Sequence, residues 1–377
     1  MATTMSAGPG DNLLLSGLAD TLADIGIPSE SDVERILGVA ALGKGLSTAD
    51  TASLLLAPAR FGKTIFDAAA ALNARTKGKR ITFYGVIYIH DFCVNLCRYC
   101  GDSIHAEHPG RRVLSPSEFQ REFDTLLGRH PLREICVLMG ESIRKFPFEK
   151  LVEYLGSVSG RYSEKLILNI PPLGVEEFRE LRRTLPNNRL HFRVFQETYD
   201  RDIYMREHTH GPKKDFDWRL AAQDRALEAG FDEVGHGVLY GLNDKNWGAE
   251  FDTLAMLTHA ANLFARHGKR SQSMSFPRLR AAPGLVPRES ELSDERLVRC
   301  IAASKLTMPT IDTVLTCRES ATFRRATRPI VNIEDFAARP GPGGNSDERT
   351  HQQMILPDLR SGEAVREEIE GDGFEVS

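Results

Sequence analysis

The stretch ITFYGVIYIHDFCVNLCRYCGDS, residues 81–103, joins an apolar run rich in β-branched and aromatic residues to three cysteines, Cys93, Cys97 and Cys100, in the spacing C-x3-C-x2-C. The run predicts a buried strand over 81–89, so the cysteines fall on the loop at its carboxyl end. Three thiolates can hold three irons of a cubane iron–sulfur cluster, whereas an electron carrier ordinarily supplies four. The spacing therefore points to a cluster with one iron left open. Two plainer readings of the same residues are a zinc site completed by His90 or His105, and three unrelated cysteines.

Beyond this stretch, short apolar runs alternate with helical patterns, as a parallel sheet or barrel requires. Strands are expected at 81–89, 134–140, 165–170, 190–196, 233–241, 271–277, 311–317 and 328–333. Eight such runs predict an α/β fold, a (β/α)8 TIM-type barrel over 81–336. Residues 1–80 read as an N-terminal helical extension, with Ser47 or Thr48 capping one helix. Residues 337–377 read as a C-terminal segment: a mobile Pro/Gly-rich loop, an extended run and a short closing helix. Catalytic groups of such barrels gather at the carboxyl ends of the strands. The cysteine loop, Glu141, Asn169, Glu197 and Arg318 all fall there.

A chain of 377 residues with 41% hydrophobic content can bury one large core, although length alone allows about two domains. The formal net charge of −4, well mixed along the sequence, offers no field for nucleic acid, and a small molecule is the expected ligand. The opening residues lack the pattern of a cleavable export signal, and no apolar run reaches membrane-spanning length. A cytoplasmic protein with no membrane partner is expected. A chain this long needs no disulfides, so Cys136, Cys300 and Cys317 read as buried inert thiols.

Further motifs sit at the strand ends. MGES, residues 139–142, places Gly140 and Glu141 after the second run, where a glycine lets backbone approach a ligand; an ordinary turn is the plainer reading. Glu197 in FQETYDRDIY and Arg219 in DFDWRL supply a carboxylate and a guanidinium suited to a zwitterionic ligand, or equally a surface ion pair. VGHGVLYGL, residues 234–242, offers glycines and an apolar surface on which an adenine could lie.

The order of FQETYDRDIYMREH, GPKKDFDWRL, QDRALEAGFDEVGHGVLYGL, SMSFPRLRAAPG and VLTCRES resembles that of the aromatic amino acid lyases of the radical S-adenosylmethionine (radical SAM) superfamily, which include tyrosine lyases and a tryptophan lyase. The resemblance spans residues 81–336. It implies a 4Fe-4S cluster on Cys93, Cys97 and Cys100, with Tyr99 matching the family pattern beside the third cysteine. It also implies S-adenosylmethionine held by Gly140, Glu141, Asn169, Glu197 and Arg219. In such enzymes the cosubstrate is cleaved reductively to methionine and a 5′-deoxyadenosyl radical. That radical takes a hydrogen from the amino group of a free aromatic amino acid, tryptophan or tyrosine, and a carbon–carbon bond next to the α-carbon then breaks. The Arg of the TCRES element, Arg318, would hold the amino acid's carboxylate, with Ser320 beside it and Tyr88 in the pocket; a barrel-core role for Tyr88 is the plainer alternative. A one-electron donor such as flavodoxin or ferredoxin is the implied partner.

Three departures from the family pattern stand out. No cysteine follows Cys317 to carry the second cluster of the maturation-type tyrosine lyase, so cyanide and carbon monoxide production is not expected. The eighth run carries Asn332, Glu334 and Asp335 where relatives have small residues, which predicts an altered pocket floor. His90 and Asp91 precede the cysteines where relatives have uncharged groups, facing substrate or solvent. The altered floor keeps alive a superfamily enzyme acting on another amino acid, by rearrangement or a different cleavage. A non-catalytic metal-binding scaffold is the reading from another class, but it gives no reason to retain Cys93, Cys97, Cys100, Glu197 and Arg219 together.

Overall fold

The β-branched run at residues 81–89 forms the strand β1, Arg80–Tyr88, whose partners on both sides define the architecture. The computed structural model describes residues 15, 17–107, 110–129, 132–159, 162, 164–268, 272–336, 338–346 and 352–377. The expectations placed on residues 1–14, Ser16, Ser271, Ala337 and 347–351 lie outside these. The remaining barrel strands are β2 (Glu134–Leu138), β3 (Lys165–Asn169), β4 (Arg189–Arg193), β5 (Glu233–Gly237), β6 (Gln272–Ser275), β7 (Asp312–Leu315) and β8 (Ile333–Asp335). Among the described residues all eight pair in parallel in chain order, and β8 closes on β1 through Thr82↔Ile333. Following the pairings from Tyr88 through Leu138, Asn169, Arg193, Gly235, Ser273 and Asp312 leads back to β1 at Arg80, eight residues lower. That is the stagger of a closed (β/α)8 barrel.

The N-terminal helices pack onto this barrel: Leu22, Ile36, Leu54 and Leu72 share one buried cluster with Leu254 and Ile301 of the barrel helices. Ser29 and Ser47 cap two of them, each accepting from the backbone N–H three residues on. At the other end, the closing helix Gly362–Gly371 leads into a short strand, Glu375–Val376, that pairs with the start of β1 and was not expected. Among the described residues no helix is long and apolar enough to cross a membrane.

Four sequence expectations are corrected. The eighth strand is displaced: Arg328–Ile330 is a 3-10 turn started by Pro329, and the strand begins only at Ile333. Charged Glu334 is tolerated there because it faces outward onto Arg324 and Arg328, all three side chains being about 1% exposed; Arg324 also pairs with Asp358. Asn332 accepts from buried Lys305 at 2.6 Å, and of the three residues only Asp335 lines the central cavity. The run expected to be a loose loop is anchored where described: Asn345 bonds Glu122 and Val86, and the Gln353 N–H donates to Pro340. His90 and Asp91 are 0% and 2% exposed and do not line the cavity, so neither substrate nor solvent is their neighbour; Asp91 receives the Arg112 N–H and the His90 ring packs on Phe146. Finally, in VGHGVLYGL it is Leu239 that lines the cavity and not the glycines, of which Gly235 and Gly237 face their own barrel neighbours. A Cβ on Gly237 would strike the Phe195 ring at 2.3 Å, and one on Gly235 would meet His191 at 2.6 Å, so the space above them is already filled.

Candidate active site

The carboxyl ends of the strands open into one cavity. Cys93, Cys97 and Cys100 line it, together with Tyr88, Tyr99, Gly140, Glu141, Asn169, Glu197, Arg219 and Arg318. Of the residues assigned from the resemblance to cluster, cosubstrate or substrate, Ser320 is the one absent: it is exposed and caps the helix Ala321–Thr327 by accepting from the Phe323 N–H at 3.2 Å. The cavity also includes Cys136 and Cys317, which are buried as expected but not remote from the site.

The cysteine loop is held from three sides. Leu96–Cys97 forms a two-stranded antiparallel pair with His208–His210. The MGES turn supports it through Val94 N–H to the Glu141 carbonyl at 2.9 Å, and only glycine fits at 140, because a Cβ would lie 2.4 Å from the Phe92 carbonyl oxygen. Asn95 ties the elements together: its side-chain N–H donates to Glu141 at 2.6 Å, and its oxygen accepts from the Lys213 N–H at 2.9 Å. Asn95 and Gln353 also direct N–H groups at the sulfurs of Cys93 and Cys100, at 3.5 and 3.4 Å, the kind of donor that tunes a thiolate-bound cluster. All three cysteines are free thiols; burial pushes Cys97 up to about 12 and raises Cys100, so a positive metal centre is what would draw them into the thiolate form. Among the described residues no three His, Cys, Asp or Glu side chains converge as a single zinc ion needs, and neither His90 nor His105 lines the cavity. Three soft donors spread around a shared space fit a multi-iron cluster.

Near Cys97, Glu197 adopts φ 70°, a left-handed conformation uncommon outside glycine, and the Leu239 N–H to its carbonyl holds it there at 2.7 Å. Its carboxylate pairs with Lys213 at 2.7 Å and lies 4.0 Å from Arg219. Burial opposes its ionisation, but the two cations outweigh burial and hold the carboxyl below its usual range. Arg219 itself is anchored through Nε to the Phe195 carbonyl at 2.6 Å. Tyr99 hydrogen-bonds His208 at 2.7 Å. Burial lowers the His208 pKa to about 3, so the ring is neutral: its Nδ1 donates to the Tyr204 carbonyl, and its Nε2 accepts from the Tyr99 hydroxyl.

Arg318 sits half-buried at the mouth and makes no ion pair among the described residues. The neighbouring Glu319 is fully buried and already neutralised by Arg278 and Arg280. Arg318 is thus left with its charge uncommitted. Tyr88 reaches the Gln353 side-chain oxygen at 3.4 Å.

The family model of the Radical SAM superfamily matches residues 87–254. 2-Iminoacetate synthase of Salmonella typhimurium is 32% identical over 352 residues, covering 92% of this chain and 89% of its own, and the Escherichia coli enzyme of the same name is 31% identical over 350 residues, covering 92% and 89%. The chain belongs to the radical SAM superfamily. The crystal structure of HydG, a maturase of the FeFe-hydrogenase, superposes with a TM-score of 0.87 at 28% identity, covering 97% of this chain and 80% of that one. Methylornithine synthase superposes at 0.70 with 18% identity over 91% of this chain and 97% of its own, a likeness of fold alone. Superfamily members use a 4Fe-4S cluster and S-adenosylmethionine, and this chain is an enzyme of that kind, a carbon–carbon lyase.

Sequence reasoning missed Asn95, Lys213 and Gln353. Asn95 lay between the cysteines, Lys213 was the second residue after Gly211 in GPKKDFDW, and Gln353 belonged to a run read as a loose loop; none carries a spacing that would announce it.

If Arg219 binds the cosubstrate, Arg219→Lys keeps the charge but loses the fork geometry, and S-adenosylmethionine affinity is expected to fall about tenfold, roughly 1.5 kcal/mol, with iron content unchanged. Titration of the reduced cluster followed by electron paramagnetic resonance reads this directly. An unaltered affinity in both Arg219→Lys and Glu197→Gln would show that the cosubstrate is held elsewhere.

Proposed function

We propose that the enzyme cleaves the bond next to the α-carbon of a free aromatic amino acid, with Cys93, Cys97 and Cys100 as cluster ligands and Gly140, Glu141, Asn169, Glu197, Arg219 and Tyr99 around the cosubstrate. The 4Fe-4S cluster, when bound, supplies the electron that splits S-adenosylmethionine into methionine and a 5′-deoxyadenosyl radical. The residues of this chain then have three tasks. The Gly140 turn and the Glu197–Lys213–Arg219 group bind a zwitterion, offering a carboxylate for its ammonium and guanidinium or ammonium groups for its carboxylate. Arg318 fixes the substrate carboxylate, so that the amino nitrogen faces the radical. Gln353 and its neighbours, lying over the mouth, exclude water.

The observation that carries this reading is the uncommitted Arg318 in the same cavity as the three cysteines. The relatives that act as 2-iminoacetate synthases at 31–32% identity favour tyrosine over tryptophan. The test is incubation of anaerobic, reduced protein with each of the twenty amino acids in turn, measuring 5′-deoxyadenosine and the amino-acid fragments. Tyrosine is expected to give 5′-deoxyadenosine together with an imino fragment that hydrolyses to glyoxylate. Formation of a rearranged amino acid without fragmentation would replace the lyase assignment.

A further inference from the structure

Beneath Arg318 the cavity ends on a second arginine that the reaction outlined above does not use. Arg193 closes β4 with its side chain inside the barrel and is 2% exposed. Its Nε and Nη2 meet no hydrogen-bond partner among the described residues. A buried guanidinium with unmade hydrogen bonds is costly to keep and calls for a ligand. The barrel's stagger puts Arg193 in one layer with Cys136, Ser275 and Asp335 of the other even-numbered strands, and Ser275 Oγ is likewise buried without a partner. This layer is where bulky apolar residues normally fill a barrel. Here it is polar.

The guanidinium is held in place rather than loose. It lies over the Tyr84 ring with 5.0 Å to the centroid, and its stem rests where a Cβ on Gly235 would come within 3.0 Å. Asp335, which also lines the cavity, does not neutralise it at ion-pair distance; its two oxygens accept from the Cys317 and Ala338 N–H groups at 2.8 and 3.3 Å. Arg318 follows the last residue of β7, Leu315, by three positions and lines the same cavity nearer the carboxyl ends of the strands.

We infer that Arg193 reads the distal end of the substrate side chain and selects one that carries an oxygen acceptor there, a phenol in the first instance, over a plain ring or an indole. The inference rests on the reading that Arg318 holds the carboxylate of a free amino acid. A phenol oxygen can accept from Nε or Nη2, whereas the indole N–H only donates and would face a cation that also only donates. Phenylalanine would leave the guanidinium buried and unpaired. The substrate class indicated is therefore 4-hydroxyphenyl amino acids.

The test is calorimetric binding to the anaerobic holoenzyme, loaded with cluster and S-adenosylmethionine but without reductant, so that nothing turns over. The wild type is expected to bind tyrosine roughly a hundredfold more tightly than phenylalanine, and more tightly than tryptophan. In Arg193→Met and Arg193→Gln, both checked for full iron content, the tyrosine preference is expected to shrink to about threefold or less, with phenylalanine bound at least as well as by the wild type. Arg193→Lys should restore part of the preference. Survival of the preference in both variants would overturn the inference, as would a wild type that prefers phenylalanine or tryptophan. The underlying reading fails separately: in that case the wild type binds none of the three, or Arg318→Lys binds tyrosine as the wild type does.

Discussion

Replacing any one of Cys93, Cys97 or Cys100 with Ala is expected to remove the cluster and all cleavage of S-adenosylmethionine. Each thiolate accounts for one iron, and the loop that carries them is fixed on three sides, by the pairing with His208–His210, by the Gly140 turn and by Asn95. It cannot slide to offer a substitute. Cys136 and Cys317 also line the cavity, but Cys136 is held by the backbone pairing of β2, and Cys317, on the turn just past β7, by the bond from its N–H to Asp335. They should not rescue a missing ligand. Ala at Cys136, Cys300 or Cys317 is accordingly expected to leave iron and sulfide content at the wild-type level. Visible absorbance of the thiolate-to-iron band, together with iron and sulfide analysis after anaerobic reconstitution, checks both halves. A triple Cys93/Cys97/Cys100→Ala variant that still loaded fully would sink the ligand assignment.

Much of the barrel was legible because seven strands fall in short runs set between helical patterns, several of them rich in β-branched or aromatic residues as in RITFYGVIY and EICVL, and the alternation of runs and helices is visible in the sequence alone. The eighth was not. RPIVNI looks like a strand, yet Pro329 starts a 3-10 turn, and the true strand is written in the charged letters of IED. Glu334 is admissible there only because Arg324 and Arg328 arrive from the helix and turn just before it, a compensation that no local pattern expresses. The site divides in the same way. The cysteines announce themselves by spacing, but Gln353 reaches Cys100 across more than 250 positions of sequence, and that meeting exists only in the folded chain. Arg193 was hidden differently. In LHFRVFQ the strand alternation puts Arg193 on the inner face, yet an arginine inside a barrel is read from sequence as an exception to be placed outside, and only its unmade hydrogen bonds mark it as a group waiting for a partner.

Arg318→Lys is expected to retain the cluster and some uncoupled formation of 5′-deoxyadenosine while losing turnover of the amino acid about a hundredfold or more. The contrast with Arg219 lies in what each residue would orient. Lysine at 318 keeps a positive charge at the mouth, where the neighbouring Glu319 is already neutralised by Arg278 and Arg280, so the field changes little. What is lost is the pair of parallel hydrogen bonds with which a guanidinium fixes a carboxylate in one plane. An ammonium group would let the carboxylate pivot, and a shift of about 1 Å between the amino nitrogen and the radical carbon is enough for a loss of that size. Cosubstrate cleavage depends on the cysteines and the groups around Glu197, none of which makes an ion pair with Arg318 among the described residues, and should therefore continue without its proper outlet. The measurement is the ratio of amino-acid fragments to 5′-deoxyadenosine in wild type and variant, alongside the iron content of each. A variant that kept both the wild-type ratio and the wild-type rate would show that Arg318 does not anchor the substrate, and the carboxylate would have to be sought among the other cations of the cavity, Arg193 or Arg280.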